Sequence, residues 1–129
     1  MPLVKFDIIE GRTEQQVGAM LEAAHRAVVK AFKVPVRDRY QLVTEHKPHQ
    51  VVILDTGLGI ERSKDIVVVT VLTSPRSDES KRLFFAELAR QLEDHCGLAS
   101  SDLMVSVVTN TQGDWSFGHG VAQYFTGQL

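Results

Sequence analysis

The sequence predicts an α+β fold made by fusing two copies of one β-α-β unit, giving a four-stranded mixed sheet with two helices packed on one face. Three observations predict it. Strand-like and helix-like runs follow one another in the order β-α-β, twice. The two halves, about residues 2–60 and 66–129, superpose without a gap at an offset of 64 residues: Arg12 falls on Arg76, Thr13 on Ser77, Glu14 on Asp78, Leu21 on Phe85, Val28 on Leu92, Val34 on Leu98 and Asp38 on Asp102. The chain has 129 residues, 43% hydrophobic and 23% charged, which suits one folded domain with a buried core.

Each element has its own local reason. Pro2 to Glu10 is rich in β-formers (Leu3, Val4, Phe6, Ile8, Ile9) and predicts the first strand. After the Gly11-Arg12 turn, Thr13 and Gln16 have the spacing of a capping box. Val17, Leu21, Ala24, Val28 and Ala31/Phe32 continue as one helical stripe that Pro35 ends. Tyr40 to Thr44 predicts a second strand, and Val51 to Leu54 is a short apolar piece before the loop Asp55–Gly59. The order then restarts. Ile66 to Thr73 is strongly β-branched and reads as a strand buried on both faces. Ser77 caps a second helix with Asp78 and Glu79 in its first turn, Phe85, Leu88, Leu92 and Cys96 as its stripe, and Gly97 as its stop. Leu103 to Thr109 is the fourth strand, and a Gly- and aromatic-rich tail closes the chain. Two such units cover one sheet face with helices. The strands are too apolar for the other face to stay wet, and self-association is the simplest remedy.

Composition excludes several function classes. A net charge of −2 gives no bulk attraction to nucleic acid or membrane. No apolar run approaches a membrane span, and the first residues lack the pattern of a signal peptide. The single cysteine rules out an internal disulfide framework, so the expectation is a cytoplasmic protein. His46 and His49 lie on a loop around Pro48, His25, His95 and His119 are scattered, and together they form no zinc pattern; the GLG and GHG stretches lack the strand–GxGxxG–helix context of a dinucleotide site. No metal and no cofactor is expected. Cys96 reads as a core residue and not as a nucleophile.

The residue with the most chemical potential is Pro2. An initiator Met before Pro is normally trimmed, which would leave a chain beginning with a rigid secondary amine at the start of a strand. The start MPLVKFDIIEGRT, with its strand, Arg-Thr turn and helix, resembles the tautomerase superfamily. VPVRDRYQ (34–41), LDTGLG (54–59), SPRS (74–77) and DWSFG (114–118) resemble, more narrowly, the malonate semialdehyde decarboxylase group within it.

That resemblance implies a homotrimer with one active site per chain around Pro2. It implies Pro2 as catalytic amine, Asp38 as the carboxylate that activates or orients water or substrate, and the turn Ser74-Pro75-Arg76 as the binder of a substrate carboxylate. The family pattern carries Arg in the place of Ser74 as well, so this chain keeps only Arg76 there. Arg76 has a physical logic of its own, because it precedes the Ser77 helix cap and adds a guanidinium to a helix N-terminus. In the family the C-terminal segment lines the pocket, which makes Trp115, Phe117, Tyr124 and Leu129 the candidate apolar wall.

The duplication adds a check. A pseudo-two-fold would set Pro2 near Arg76 and Ile66 near Arg12, with one complete site and one vestigial site in each chain. The function expected is decarboxylation of a small 3-oxo acid such as malonate semialdehyde, giving acetaldehyde and carbon dioxide. The alternatives are a keto-enol tautomerase or hydratase of 2-oxo or unsaturated acids, and a non-catalytic trimeric module. Expected partners are the small carboxylate and other copies of the chain, with no nucleic acid and no membrane.

Overall fold

The computed structural model describes residues 1–129. β1 (Leu3–Ile9), α1 (Glu14–Phe32), β2 (Tyr40–His46), β3 (Val67–Thr73), α2 (Asp78–Cys96) and β4 (Leu103–Thr109) form one four-stranded sheet in the order β2-β1-β3-β4. β1 runs parallel to β2, and β3 to β4, each pair joined through its helix. The units meet through the antiparallel pair β1–β3, in the register Leu3↔Leu72, Phe6↔Val69 and Ile8↔Val67. The predicted fold class is the observed one. No helix is long and apolar enough to cross a membrane.

Both helix caps form as the sequence predicts. The Thr13 hydroxyl accepts from the Gln16 N–H at 3.1 Å while Gln16 accepts from the Thr13 N–H at 2.9 Å. Ser77 accepts from the Ser80 N–H at 3.0 Å, and Gly97 ends α2 in the left-handed region at φ 65°. The core lies between the sheet and the helices. Val4, Phe6 and Ile8 of β1 and Val67, Val69 and Val71 of β3 pack under Met20, Ala24, Val28, Phe84, Leu88 and Leu92. Small Ala23 and Ala27 are fully buried on α1, and the Phe32 and Phe84 rings meet with centroids 4.8 Å apart.

Three sequence expectations need correction. First, the apolar stripe of α2 runs through Phe84, Leu88 and Leu92, with Phe84 fully buried and Phe85 39% exposed. Leu88 and Leu92 set the phase, and the residue four before Leu88 is Phe84; Phe85 is turned about 100° away. Second, Cys96, the last residue of α2, is exposed and not in the core. Partial burial raises its thiol pKa, which keeps it protonated and unreactive. Third, the gapless superposition holds for the helices but not for the first strands. The helix bounds and caps repeat at the offset of 64. However, β1 buries Val4, Phe6 and Ile8, whereas β3 buries Val67, Val69, Val71 and Thr73. With a side-chain period of two, only an odd offset keeps these on the same face, so a one-residue slip sits in the strand-to-helix turns.

The opposite sheet face carries Tyr40, Leu42, Met104 and Val108, all exposed, beside half-buried Leu3, Val68 and Leu72. Past β2, Val52, Leu54 and Leu58 are also exposed. The Asp55 carboxylate accepts from the Gly57 and Gly59 N–H groups at 3.1 and 2.7 Å, so this loop is internally braced.

Between the helices, the nearly buried Glu87 accepts from Lys30 of α1, from Arg90 and from Gln91 of its own helix. Arg26 of α1 donates to Gln91 at 3.0 Å. These bonds, led by that of Arg90, hold the Glu87 carboxyl down at about 2, against 4.5 ordinarily. A lowered carboxylate stabilises the fold fully above its ordinary value and loses that contribution as the pH falls through about 2. Glu87→Gln is expected to cost about 1–3 kcal/mol at pH 7, the scale of lost hydrogen bonds to a charged group, and progressively less below pH 4. Urea denaturation of the two proteins across that range measures it.

Candidate active site

Antiparallel pairing brings the start of β1 to the end of β3. With Leu3 opposite Leu72, Pro2 comes opposite Thr73, and Arg76 lies three residues further on. Pro2 has no N–H to offer a ladder and stands before the first strand residue, where its absence costs no pairing. Its side chain is fully buried.

The terminal amine of Met1 donates to the Asp38 carboxylate and forms an ion pair with it. Asp38 is carried by the turn after α1. Lys33 ends the helix in the left-handed region at φ 55°, the Asp38 N–H donates to the Pro35 carbonyl at 3.0 Å, and the Arg39 N–H to that of Arg37 at 2.9 Å. The cations that flank Asp38 in sequence do not pair with it. Arg39 donates to Glu22 at 2.6 Å and to Gln41 at 2.7 Å, and Arg37 is exposed. Burial and then the Arg76 charge pull the terminal amine down from 8.0 to about 5. The carboxylate in contact with it acts in the opposite direction, because an anion favours the ammonium form.

Arg76 lies against the end of α1. Its Nε donates to Thr73 Oγ1 at 3.1 Å and one Nη to the Phe32 carbonyl at 3.2 Å, while the guanidinium stands 5.0 Å from the Phe32 ring centroid. A cation beside a helix C-terminus and over an aromatic face is doubly favoured. Burial lowers the Arg76 pKa, and Tyr124 partly offsets this. The second Nη makes no hydrogen bond to the protein. Ser74, the residue between Thr73 and the Pro75-Arg76 corner, is nearly buried.

The tail supplies aromatic cover. Trp115 stacks on Phe117 at 5.5 Å, Phe117 on Tyr40 at 5.7 Å, and Tyr124 meets Phe117 edge-on at 6.1 Å. The Tyr124 hydroxyl donates to the Met1 sulfur at 3.3 Å, which ties this cluster to the amino terminus. The Trp115 indole N–H is anchored on Asn110 at 2.9 Å. Thus Pro2, Asp38, Arg76 and Tyr124 share one end of the sheet, with Phe117 and Trp115 behind Tyr124 and Ser74 within the Arg76 turn. Leu129 is not brought in: it is 67% exposed at the end of the tail. Sequence reasoning missed Tyr40, Phe32 and Thr73. Tyr40 lies in the motif 34–41 next to Asp38, and its opening position on β2 was the available signal. The contacts of Phe32 and Thr73 arise only from packing.

A cavity of about 620 Å³ lies at the opposite pole, lined by Arg12, Lys64, Asp65, His95, Cys96 and Asp102 among others. Arg12 donates to the Asp65 carbonyl at 2.7 Å, as the pseudo-two-fold predicts for a residue beside the start of β3. Asp102, the counterpart of Asp38, spends both oxygens on the Ser63 N–H and hydroxyl, at 2.6 and 2.5 Å. This pole has a carboxylate and an arginine but no chain terminus.

Two family models, each described as "Tautomerase enzyme", match the sequence over residues 38–118 and 2–60. A "Probable tautomerase YrdN" of Bacillus subtilis (strain 168) is 50% identical over 129 residues, 100% of both chains. Among solved structures, malonate semialdehyde decarboxylase superposes with a TM-score of 0.96 and 48% identity over 98% of each chain. That protein was solved as wild type, with its first-residue proline changed to alanine, and in an inactivated form, as a basis for decarboxylase and hydratase activities. A fused 4-OT, solved as a symmetric trimer, superposes with a TM-score of 0.78 over 97% of this chain and 98% of its own; at 21% identity this shows a shared fold.

The contact between amine and carboxylate is testable. In the chain freed of Met1, Asp38→Asn is expected to lower the pKa of the Pro2 amine, because removing an adjacent anion destabilises the ammonium form. NMR titration of the amine in the two proteins reads the direction.

Proposed function

The chain belongs to the tautomerase family, and from that premise we propose that it is a cofactor-free lyase that decarboxylates a small 3-oxo acid such as malonate semialdehyde, with Pro2 as its catalytic amine. The observation that carries this reading is the convergence of the amino terminus, Asp38 and Arg76 at one end of the sheet. It is supported by the 48% identity to malonate semialdehyde decarboxylase, whose own first residue is a proline. Met1 is removed in the active protein, and the Pro2 nitrogen then takes up the role of terminal amine beside Asp38 and Arg76.

The chemistry follows from the groups present. The free Nη of Arg76 holds the substrate carboxylate by charge-assisted hydrogen bonds. The Pro2 ammonium, kept charged by Asp38, donates to the C3 carbonyl oxygen. The C1–C2 bond breaks, its electron pair moves into the C2–C3 bond, and the developing negative charge on the carbonyl oxygen is stabilised by the ammonium. Carbon dioxide leaves, and the enolate, hydrogen-bonded by the ammonium at oxygen, takes a proton from water at C2 to give acetaldehyde. The aromatic wall of Trp115, Phe117 and Tyr124 favours a transition state whose charge is more dispersed than that of the bound carboxylate. With Ser74 in place of a second arginine, the site holds its anion through Arg76 alone, which suits modest affinity and tolerance of several small oxo acids.

A second reading, tautomerisation or hydration of a 2-oxo or unsaturated acid, is favoured by one observation. Burial and Arg76 lower the Met1 amine to about 5; the same two causes acting on a Pro2 terminus favour its neutral form, which is a base. The two readings differ in sign with pH: turnover by an ammonium falls as the pH rises through the Pro2 pKa, and turnover by a neutral base rises. Trimer formation is part of this proposal. The apolar outer sheet face of Tyr40, Leu42, Met104 and Val108 is the surface that other copies cover, and the fused 4-OT structure is a trimer on the same fold.

Wild type and Pro2→Ala incubated with malonate semialdehyde and with phenylenolpyruvate, after intact mass has established the loss of Met1, test the proposal. Decarboxylation of the first substrate that depends on Pro2 is the expected result. A retained Met1 with no turnover of either substrate points to a non-catalytic module. Arg76→Ala is expected to lower kcat/KM about 10- to 150-fold, the scale of one lost arginine–carboxylate contact, while Arg12→Ala leaves it nearly unchanged. Equal losses in both would overturn the assignment of one active pole. Light scattering is expected to give three times the 14.4 kDa chain mass.

A further inference from the structure

We propose that His25 is a positioning residue for Asp38, holding its turn from inside the protein so that the carboxylate meets the terminal amine. The inference rests on the reading of Pro2 and Asp38 given above. His25 lies on α1, exposed over only 6% of its surface. Its Nε2 stands 2.7 Å from the Val36 carbonyl oxygen. A carbonyl only accepts, so Nε2 carries the proton and the imidazole is the donor.

Little else holds this turn at that point. The Val36 side chain is 72% exposed and gives it no apolar anchor. The bonds Asp38 N–H to Pro35 and Arg39 N–H to Arg37 are internal to the turn and move with it. Arg39 is tied to Glu22 and Gln41, which fixes the side of the turn leading into β2. The imidazole is the tether two residues before Asp38, running from the helix to the backbone.

The second half of the molecule gives an internal comparison. There the residue at the helix-repeat position of His25 is Ala89, which offers no donor. Asp102 instead stands at the end of a short 3-10 turn, Ser100–Asp102, and is locked by both of its bonds to Ser63. The histidine tether therefore accompanies the carboxylate that faces an amine and is absent where the carboxylate is fixed by its own bonds. Asp38 must be fixed some other way if its ligand is an amine that has to remain available to substrate.

Glu22, itself flanked by Arg39 and Arg26, is the charged group that faces His25, and those around the amine are Asp38, Arg76 and Tyr124. None of these is altered by changing His25, so a change in the amine's titration reports a displaced Asp38. The full chain without Met1 is compared with His25→Leu, which fills the space without a donor, and His25→Gln, whose amide restores one. His25→Leu is expected to lower the Pro2 amine pKa and to reduce kcat about 10- to 100-fold with little change in KM, as for a misplaced catalytic group. His25→Gln is expected to recover most of both. In an Asp38→Asn background His25→Leu should move the amine no further, since its effect passes through Asp38.

An unchanged amine titration in His25→Leu, or equal losses in the Leu and Gln variants, would overturn the proposal. If His25→Leu does not fold, His25→Asn takes its place, being polar but too short to reach Val36. The NMR titration needs no turnover. A wild type inactive on every oxo acid would sink the decarboxylase reading while leaving this comparison readable.

Discussion

The antiparallel pairing of β1 with β3 is the contact on which the rest of the molecule depends. It joins two units that each consist of parallel strands bridged by a helix, and neither unit alone has a two-sided core. Because the strands run in opposite directions, the start of each lies at the end of the other. Two equivalent poles result, each assembled from the residue before one strand, the turn after the other, and the turn that follows a helix. The register Leu3↔Leu72 places Pro2 and the Arg76 turn at one pole, and the residues before Val67 and the Arg12 turn at the other.

What differs between the poles is how the carboxylate is used. Asp102 is saturated by Ser63, which belongs to a continuous chain and can supply only a backbone N–H and a hydroxyl. Asp38 meets a chain terminus, which supplies an amine. A charge that in one pole closes a loop therefore serves in the other to hold an ionisable nitrogen. Burial and the Arg76 guanidinium oppose the charge on that nitrogen, whereas Asp38 supports it. The chemistry available at the site depends on that balance.

Arg76 shows how packing fixes a long cationic side chain. Thr73, the Phe32 carbonyl and the Phe32 ring take up Nε, one Nη and one face of the guanidinium. A guanidinium held this firmly keeps little conformational freedom, and the direction of its remaining Nη is set by the fold. The aromatic group of Tyr40, Phe117, Trp115 and Tyr124 joins the first residue of β2 to the tail, so the pocket wall depends on the last part of the chain folding back over the first.

Period and capping chemistry are local properties, and for that reason they were legible without a structure. The run of β-formers in residues 66–73, the Thr13–Gln16 box, the Ser77 cap and the Gly97 stop determined element order, helix bounds and the duplication. Pro2, Arg76 and Asp38 could be singled out because a Met-Pro start, an arginine at a helix cap and a recurrent motif are each visible in a few residues. Tertiary structure decided what depends on register and packing. Whether Phe84 or Phe85 enters the core turns on one residue of helix phase. The slip between the first strands reverses every side chain while leaving the helix repeat intact. No local pattern could show that Asp38 ignores its neighbouring arginines for an amine 37 positions away, that Phe32 carries Arg76, or that Leu129 stays outside. Those are contacts between residues far apart in the chain, and they exist only once β1 and β3 have paired.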